Sequence, residues 1–152
     1  MFSRALVLFT FVAATIAAPT TFSKRQLVGG KLIEVVNGGI PGNATLGDLS
    51  QNDCNIDIKP GDLAFLVARK FIRGAAPGST AAENGLCGRL DATIFVVDND
   101  ATILATTKSW LGPVGFCEEC DAGSVIVNDA AFAEIGGDPA VGVVQNVFPR
   151  FG

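Results

Sequence analysis

The chain has 152 residues, with 15 Asp+Glu against 11 Lys+Arg and a formal net charge of −4. That length suits one domain, and an acidic chain without a basic tract is a poor match for nucleic acid or an anionic membrane. Histidine and tyrosine are absent, which excludes Ser-His-Asp and Cys-His catalysis and histidine-ligated metal sites.

The first residues read as an address. Arg4 supplies a positive start, Ala5 to Ala14 is a short apolar run, and Thr15 and Ala17 sit at −3 and −1 of a cleavage point. Residues 1–17 therefore read as a secretory signal peptide. The run is too short, and too soon broken by Pro19, to span a bilayer, and no later stretch is long and apolar enough. A second signal follows. The polar run PTTFSKR ends on Lys24-Arg25, a dibasic pair of the kind that kexin-type proteases cut, so residues 18–25 read as a propeptide. The mature chain would begin at Gln26, able to cyclise to pyroglutamate. Loss of Arg4, Lys24 and Arg25 takes Lys+Arg from 11 to 8, and the charge from −4 to −7. The expected product is soluble and secreted, extracellular or in the cell wall.

Residues 26–39 form an N-terminal extension. Within it Lys31 to Asn37 is rich in β-branched residues and reads as a strand, closed by the turn signal Asn37-Gly38-Gly39. Pro41-Gly42 reads as another turn. Asn43-Ala44-Thr45 is a glycosylation sequon, which makes Asn43 an exposed candidate for a glycan. Leu46 to Asp53 reads as a polar loop leading to Cys54. After the turn at Pro60-Gly61, Asp62 to Phe71 reads as a strand passing into a short helix. Arg69, Lys70 and Arg73 make the basic cluster of the chain, read as a solvated helix face. Gly74 to Gly85 is a long loop. Since it lies between Cys54 and Cys87, a bridge there would pin its ends.

Asp91 to Val97 and Ala101 to Thr107 are strands around the turn Asp98-Asn99-Asp100, the clearest hairpin of the chain. Turn chemistry accounts for Asp98 and Asp100. Trp110 to Phe116 reads as an apolar loop, stiffened by Pro113 and loosened by two glycines. Cys117-Glu118-Glu119-Cys120 is an acidic tight loop, and Ser124 to Val127 a short strand. Asn128 is a good N-cap for a helix over Ala130 to Ile135, with Asp129 favourable in the first turn. Gly136-Gly137 ends it. Val141 to Phe148 is the last strand, with Pro149 as its stop. Six strands, one or two short helices and many glycine turns suit a small closed β-barrel, all-β in class.

Four cysteines in a secreted chain imply two disulfides, with three pairings open. The alternative is a four-cysteine zinc site, because Cys117 and Cys120 have ligand spacing. A redox role for the CxxC would call for a βαβ setting and a helix start after the first cysteine. Neither is visible, so the pair reads as a structural bridge.

The order of these landmarks resembles the double-psi β-barrel domains of the RlpA-like and barwin-like families, to which the expansins are related. The matching pieces are Gly42-Asn43-Ala44-Thr45, Cys54, Asp62-Leu63 with Phe71, Cys87-Gly88 before the hairpin, and Cys117 to Cys120. Ala130-Ala131-Phe132 and Gly142-Val143-Val144 with Phe148 complete the series, which places the barrel domain over residues 40–152. The resemblance implies a six-stranded double-psi barrel with Cys54 paired to Cys87 and Cys117 to Cys120. It also implies where an enzyme of this kind would carry its aspartates. One falls near Lys108 or Ser109, blurred by an insertion through Trp110 to Gly115. The other falls at Ser124 and Ile126, and isoleucine cannot move a proton.

The resemblance, less those aspartates, implies a secreted, monomeric, non-catalytic binding module. Its expected partner is a cell-wall polysaccharide or a secreted protein such as a protease, contacted through barrel-end loops, with no cofactor, metal, nucleic acid or membrane. The tentative contact residues are Trp110, Leu111 and Phe116, as an apolar and aromatic platform, and Glu118, Glu119 and Asp121 around the CxxC. Those clustered carboxylates would otherwise serve as a general acid or bind Ca²⁺, or be plain solvated loop. The Gly74 to Gly85 loop is the second choice of surface. An expansin-like or lytic carbohydrate-active enzyme is the alternative, and would need Asp91, Asp98, Asp121 or Asp129 in a groove. A secreted immune-modulating effector, or a relative of proteins named for riboflavin aldehyde formation, is a third.

Overall fold

The computed structural model describes residues 41–89, 92–97 and 111–151 in full, and the backbone of three further strands at 24–28, 31–35 and 103–108. The chain opens on β1 (Lys24–Val28) and β2 (Lys31–Val35), which pair antiparallel with Arg25 opposite Glu34. The dibasic pair thus begins a strand. β3 (Gly42–Leu46) and β4 (Ala64–Ala68) follow, and then a 3-10 turn at Arg69–Phe71. The two-residue β5 (Ile72–Arg73) returns to β2 to complete a small three-stranded sheet, β1-β2-β5. The rest comprises β6 (Ala92–Val97), β7 (Ile103–Lys108), β8 (Gly112–Cys117), β9 (Val125–Val127), α1 (Asp129–Glu134) and β10 (Val143–Phe151).

The larger sheet is mixed and runs β7-β6-β10-β3-β9-β4-β8. Two of its pairs are parallel, β3 with β9 and β4 with β8, and they flank the antiparallel pair β4 with β9. Each parallel pair joins one strand from the first half of the chain to one from the second. The chain must therefore cross over twice, once through 47–63 and once through 118–124.

The six strands from β6 to β8 in that order curl into a half-barrel. β10 and β4 stand three positions apart, about 14 Å in a flat sheet. Yet the rings of Phe151 on β10 and Phe65 on β4 lie 6.5 Å apart, which only a bent sheet allows. The far edge comes round as well: a Cβ on Gly112, at the start of β8, would run into the carbonyl of Arg89, three residues before β6. Alternation along the strands fills the hollow. Ala92, Ile94 and Val96 of β6 point inward, as do Val125 and Val127 of β9. Phe132 and Ala131 of α1 join the same core, with α1 set against β3, β4 and β7.

A second, smaller core lies on the outer face. Leu49, Ala64 and Val114 are buried there, with Ile56, Ile58, Leu66, Leu111 and Ile126 packed on them. The crossover after β3 thus covers one side of the sheet. β8 is consequently buried along its whole length, with Phe116 in the main core and Val114 in the outer one. Its free edge is also taken: Cys54 N–H donates to the Val114 carbonyl at 3.1 Å, and Phe116 N–H to Asp53 Oδ2 at 3.4 Å.

Cys54 bonds Cys87 and Cys117 bonds Cys120, the pairing implied by the resemblance. Two expectations need correction. Residues 42–46 and 112–117, read as turn and loop, are strands of the central sheet. Pro149 does not stop the last strand, which runs on to Phe151. Pairing with β3 ends at Val147 opposite Gly42, so beyond it one flank of β10 has no ladder bond for proline to break. The larger sheet also has seven strands in place of six, β7 being the hairpin partner of β6.

Candidate functional site

The parallel seam between β3 and β9 sets the chemistry of the outer face. Thr45 stands opposite Ile126 and Ala44 opposite Val125. Ser124, just before β9, accepts the N–H of Asn43 on its hydroxyl at 3.0 Å. Ile126 belongs to the outer core, and a Cβ on Gly47 would strike its Cγ2. The two positions where an acid would be sought therefore hold a hydroxyl spent on a neighbouring strand and an alkyl chain beneath a glycine. The other position, near Lys108 or Ser109, lies outside the residues whose side chains are described.

The acidic loop is organised from the opposite side of the molecule by Arg69. Its Nε donates to Glu118 Oε2 at 2.7 Å and Oε1 at 2.9 Å, and Nη2 reaches the same carboxylate. Nη1 donates to the Ala76 carbonyl at 2.9 Å and Nη2 to that of Ser79 at 2.7 Å. The guanidinium lies 4.1 Å over the Phe116 ring, a cation–π contact. The side chain is only 12% exposed. Arg69 is thus a buried tie and not part of a solvated helix face; Lys70 beside it is 62% exposed and stands 4.0 Å from Asp121. The hydrogen bond from Arg69 holds the Glu118 carboxyl below the usual glutamate range and raises the pKa of Arg69 in return.

The tentative contact residues consequently sit in different settings. Trp110 lies outside the described residues, as do Asp91, Asp98 and Asp100. Leu111 is half-buried against the outer core, and Phe116 is buried under Arg69. Glu118, Glu119 and Asp121 are all exposed on the disulfide loop, with Glu118 engaged as described. Asp129 is exposed in the first turn of α1, and Asn43 is exposed on β3. Among the described residues no three His, Cys, Asp or Glu side chains gather as a metal site.

No protein-family model matches the chain, and no curated protein matches it.

One feature escapes a reading by motif. An open groove of about 750 Å³ lies where the crossover after β3 meets the start of α1, lined among others by Asp48, Ser50, Ile58, Lys59 and Asp129. Asp48 Oδ1 accepts the Ser50 N–H at 2.9 Å, and this bond with that of the Ser50 side chain lowers its pKa. Asn128 frames the groove. Its Oδ1 accepts from Ala131 and Ala64, both at 3.2 Å, and its Nδ2 donates to the Asp62 carbonyl at 2.7 Å. In the sequence Asp48, Pro60-Gly61 and Asn128 each look like local turn or cap chemistry. Only the crossover brings the three together.

Proposed function

We propose that the chain is a secreted, non-catalytic binding module on a double-psi barrel of the RlpA-like and barwin-like type. Two interlocked parallel pairs about one antiparallel pair favour that barrel. The observation that carries the functional reading is Ile126 at the floor of the outer face, with the Ser124 hydroxyl bound to β3. A general acid needs a raised carboxyl pKa, and Glu118 and Asp48 are both shifted the other way. The partner is a cell-wall polysaccharide or a secreted protein, met by the loops around Trp110, Leu111 and Glu118 to Asp121. No helix among the described residues is long and apolar enough to cross a membrane, which accords with release of a monomer, glycosylated at Asn43.

Maturation belongs to the same reading. A cut after Arg25 would remove the two residues of β1 that face Val35 and Glu34, and leave three pairs in place. Retention of the protein on insoluble chitin, cellulose or β-glucan, reduced by Glu119→Gln with Asp121→Asn, supports the reading. Absence of retention, together with absence of any co-purifying secreted protein, overturns it.

One observation favours the enzyme as a second reading: Asp48 and Asp129 both line the groove, and paired carboxylates are the usual equipment for glycoside hydrolysis. Sugar release abolished by Asp48→Asn or Asp129→Asn would select it.

A further inference from the structure

Every N–H of the Arg69 guanidinium is employed. Beyond Glu118 and the two loop carbonyls, Nη1 also donates to Ser79 Oγ at 3.0 Å, which accounts for all five donors. One side chain thereby joins two loops that are far apart in sequence. Glu118 belongs to the four-residue ring closed by Cys117–Cys120. Ala76 and Ser79 belong to the 74–85 loop, whose apex at Ala76, Pro77 and Gly78 is exposed. Asn84 completes the tie, its Nδ2 donating to Ser79 Oγ and the Thr80 carbonyl, both at 2.8 Å.

The two disulfides hold different things. Cys54–Cys87 spans 33 residues and packs on the main core. Cys117–Cys120 spans three and holds a loop of exposed acids. Opening the short bridge releases little constraint on the chain as a whole. It does release the backbone that aims Glu118 at Arg69.

We propose that the Cys117–Cys120 disulfide is a redox-operated latch on the 74–85 loop. Closed, it keeps Glu118 on Arg69 and Arg69 on Ala76 and Ser79. Opened by a dithiol, it frees Glu118, and the 74–85 loop loosens while Cys54–Cys87 and the sheet stay intact. In the step itself a thiolate of the dithiol attacks one sulfur, the S–S bond breaks and a mixed disulfide forms. The second thiolate then displaces the protein sulfur. Two electrons and two protons pass to Cys117 and Cys120, and the reductant leaves as its own disulfide. The latch does not depend on what the module binds.

The test titrates the full chain with dithiothreitol. Alkylation and mass spectrometry identify the open bridge, and amide hydrogen exchange is followed at residues 75–80. The expected result is a dithiol range in which Cys117 and Cys120 alkylate and Cys54 and Cys87 do not. There, exchange at 75–80 rises several-fold while the β6 and β10 amides stay protected. Glu118→Ala should show the same rise with its bridge closed, and reduction should add nothing further. Three results would overturn the latch: unchanged exchange at 75–80 once Cys117 and Cys120 are alkylated; a further rise on reducing Glu118→Ala as large as that in the unmodified chain; or bridges that open only together, with loss of protection throughout.

Discussion

Asn128 shows how much one side chain can hold. It caps α1, bonds Ala64 at the start of β4, and ties the Asp62 carbonyl before it. Asn128→Ala strands two partly buried N–H groups and one carbonyl, so a loss of about 1–3 kcal/mol is expected in urea denaturation. Asn128→Asp keeps the acceptor, loses the donor to Asp62, and should fall between the two. The cap was legible from the sequence because capping is local chemistry. Its reach to Asp62 and Ala64, more than sixty residues away, was not.

Glu118 carries a pH prediction. Its folded pKa is depressed, chiefly by the Arg69 hydrogen bond. The stability it adds is therefore full above the ordinary glutamate value of about 4.3 and fades as pH falls through the lower folded value. Unfolding midpoints of the unmodified chain and Glu118→Gln should differ at pH 6 and converge in strong acid. A difference that persists at pH 2 would show that the carboxylate charge is not what binds Arg69.

At the scale of the element, the hairpin of β6 and β7, the β9 strand and α1 follow from residues that announce themselves: β-branched runs, a turn, an N-cap. β3 and β8 did not, although both belong to the central sheet. Their sequences, GNATL and GPVGFC, carry glycines where strands usually carry bulk. The reason is proximity. A Cβ on Gly42 would collide with the backbone of Gly123 and Ser124, and one on Gly112 with that of Arg89. Strands that must let another backbone pass this close lose the pattern by which strands are recognised. Gly42→Ala should consequently push β3 off the segment before β9 and cost about 1–3 kcal/mol or more, read as a lowered melting temperature and faster exchange in β3 and β9. A variant as stable as the parent would contradict the close approach.

For the molecule as a whole, the curl and the outer core were only half visible. Alternation in β6 predicts one buried face, but nothing in Leu49, Ile56 and Ile58 says that a crossover will fold back over the other. The candidate site divides in the same way: the CxxC acids stand out by composition, whereas Arg69 as their anchor emerges only when β4 delivers it beside β8. The two bridges should differ in weight. Loop-closure entropy assigns about 4 kcal/mol to Cys54–Cys87 and about 2 kcal/mol to Cys117–Cys120. The double serine variant at 54 and 87 should therefore unfold at distinctly lower denaturant than that at 117 and 120, and the reverse order would contradict the role given to each.

The claim that matters most is that this framework binds without cutting. A time course of reducing ends, with the purified chain on chitin, cellulose and β-glucan, addresses it directly. The account predicts a flat trace at the level of the blank, with the Asp48→Asn and Asp129→Asn variants indistinguishable from the parent. A trace that climbs with time and enzyme concentration, and collapses in either variant, would contradict it.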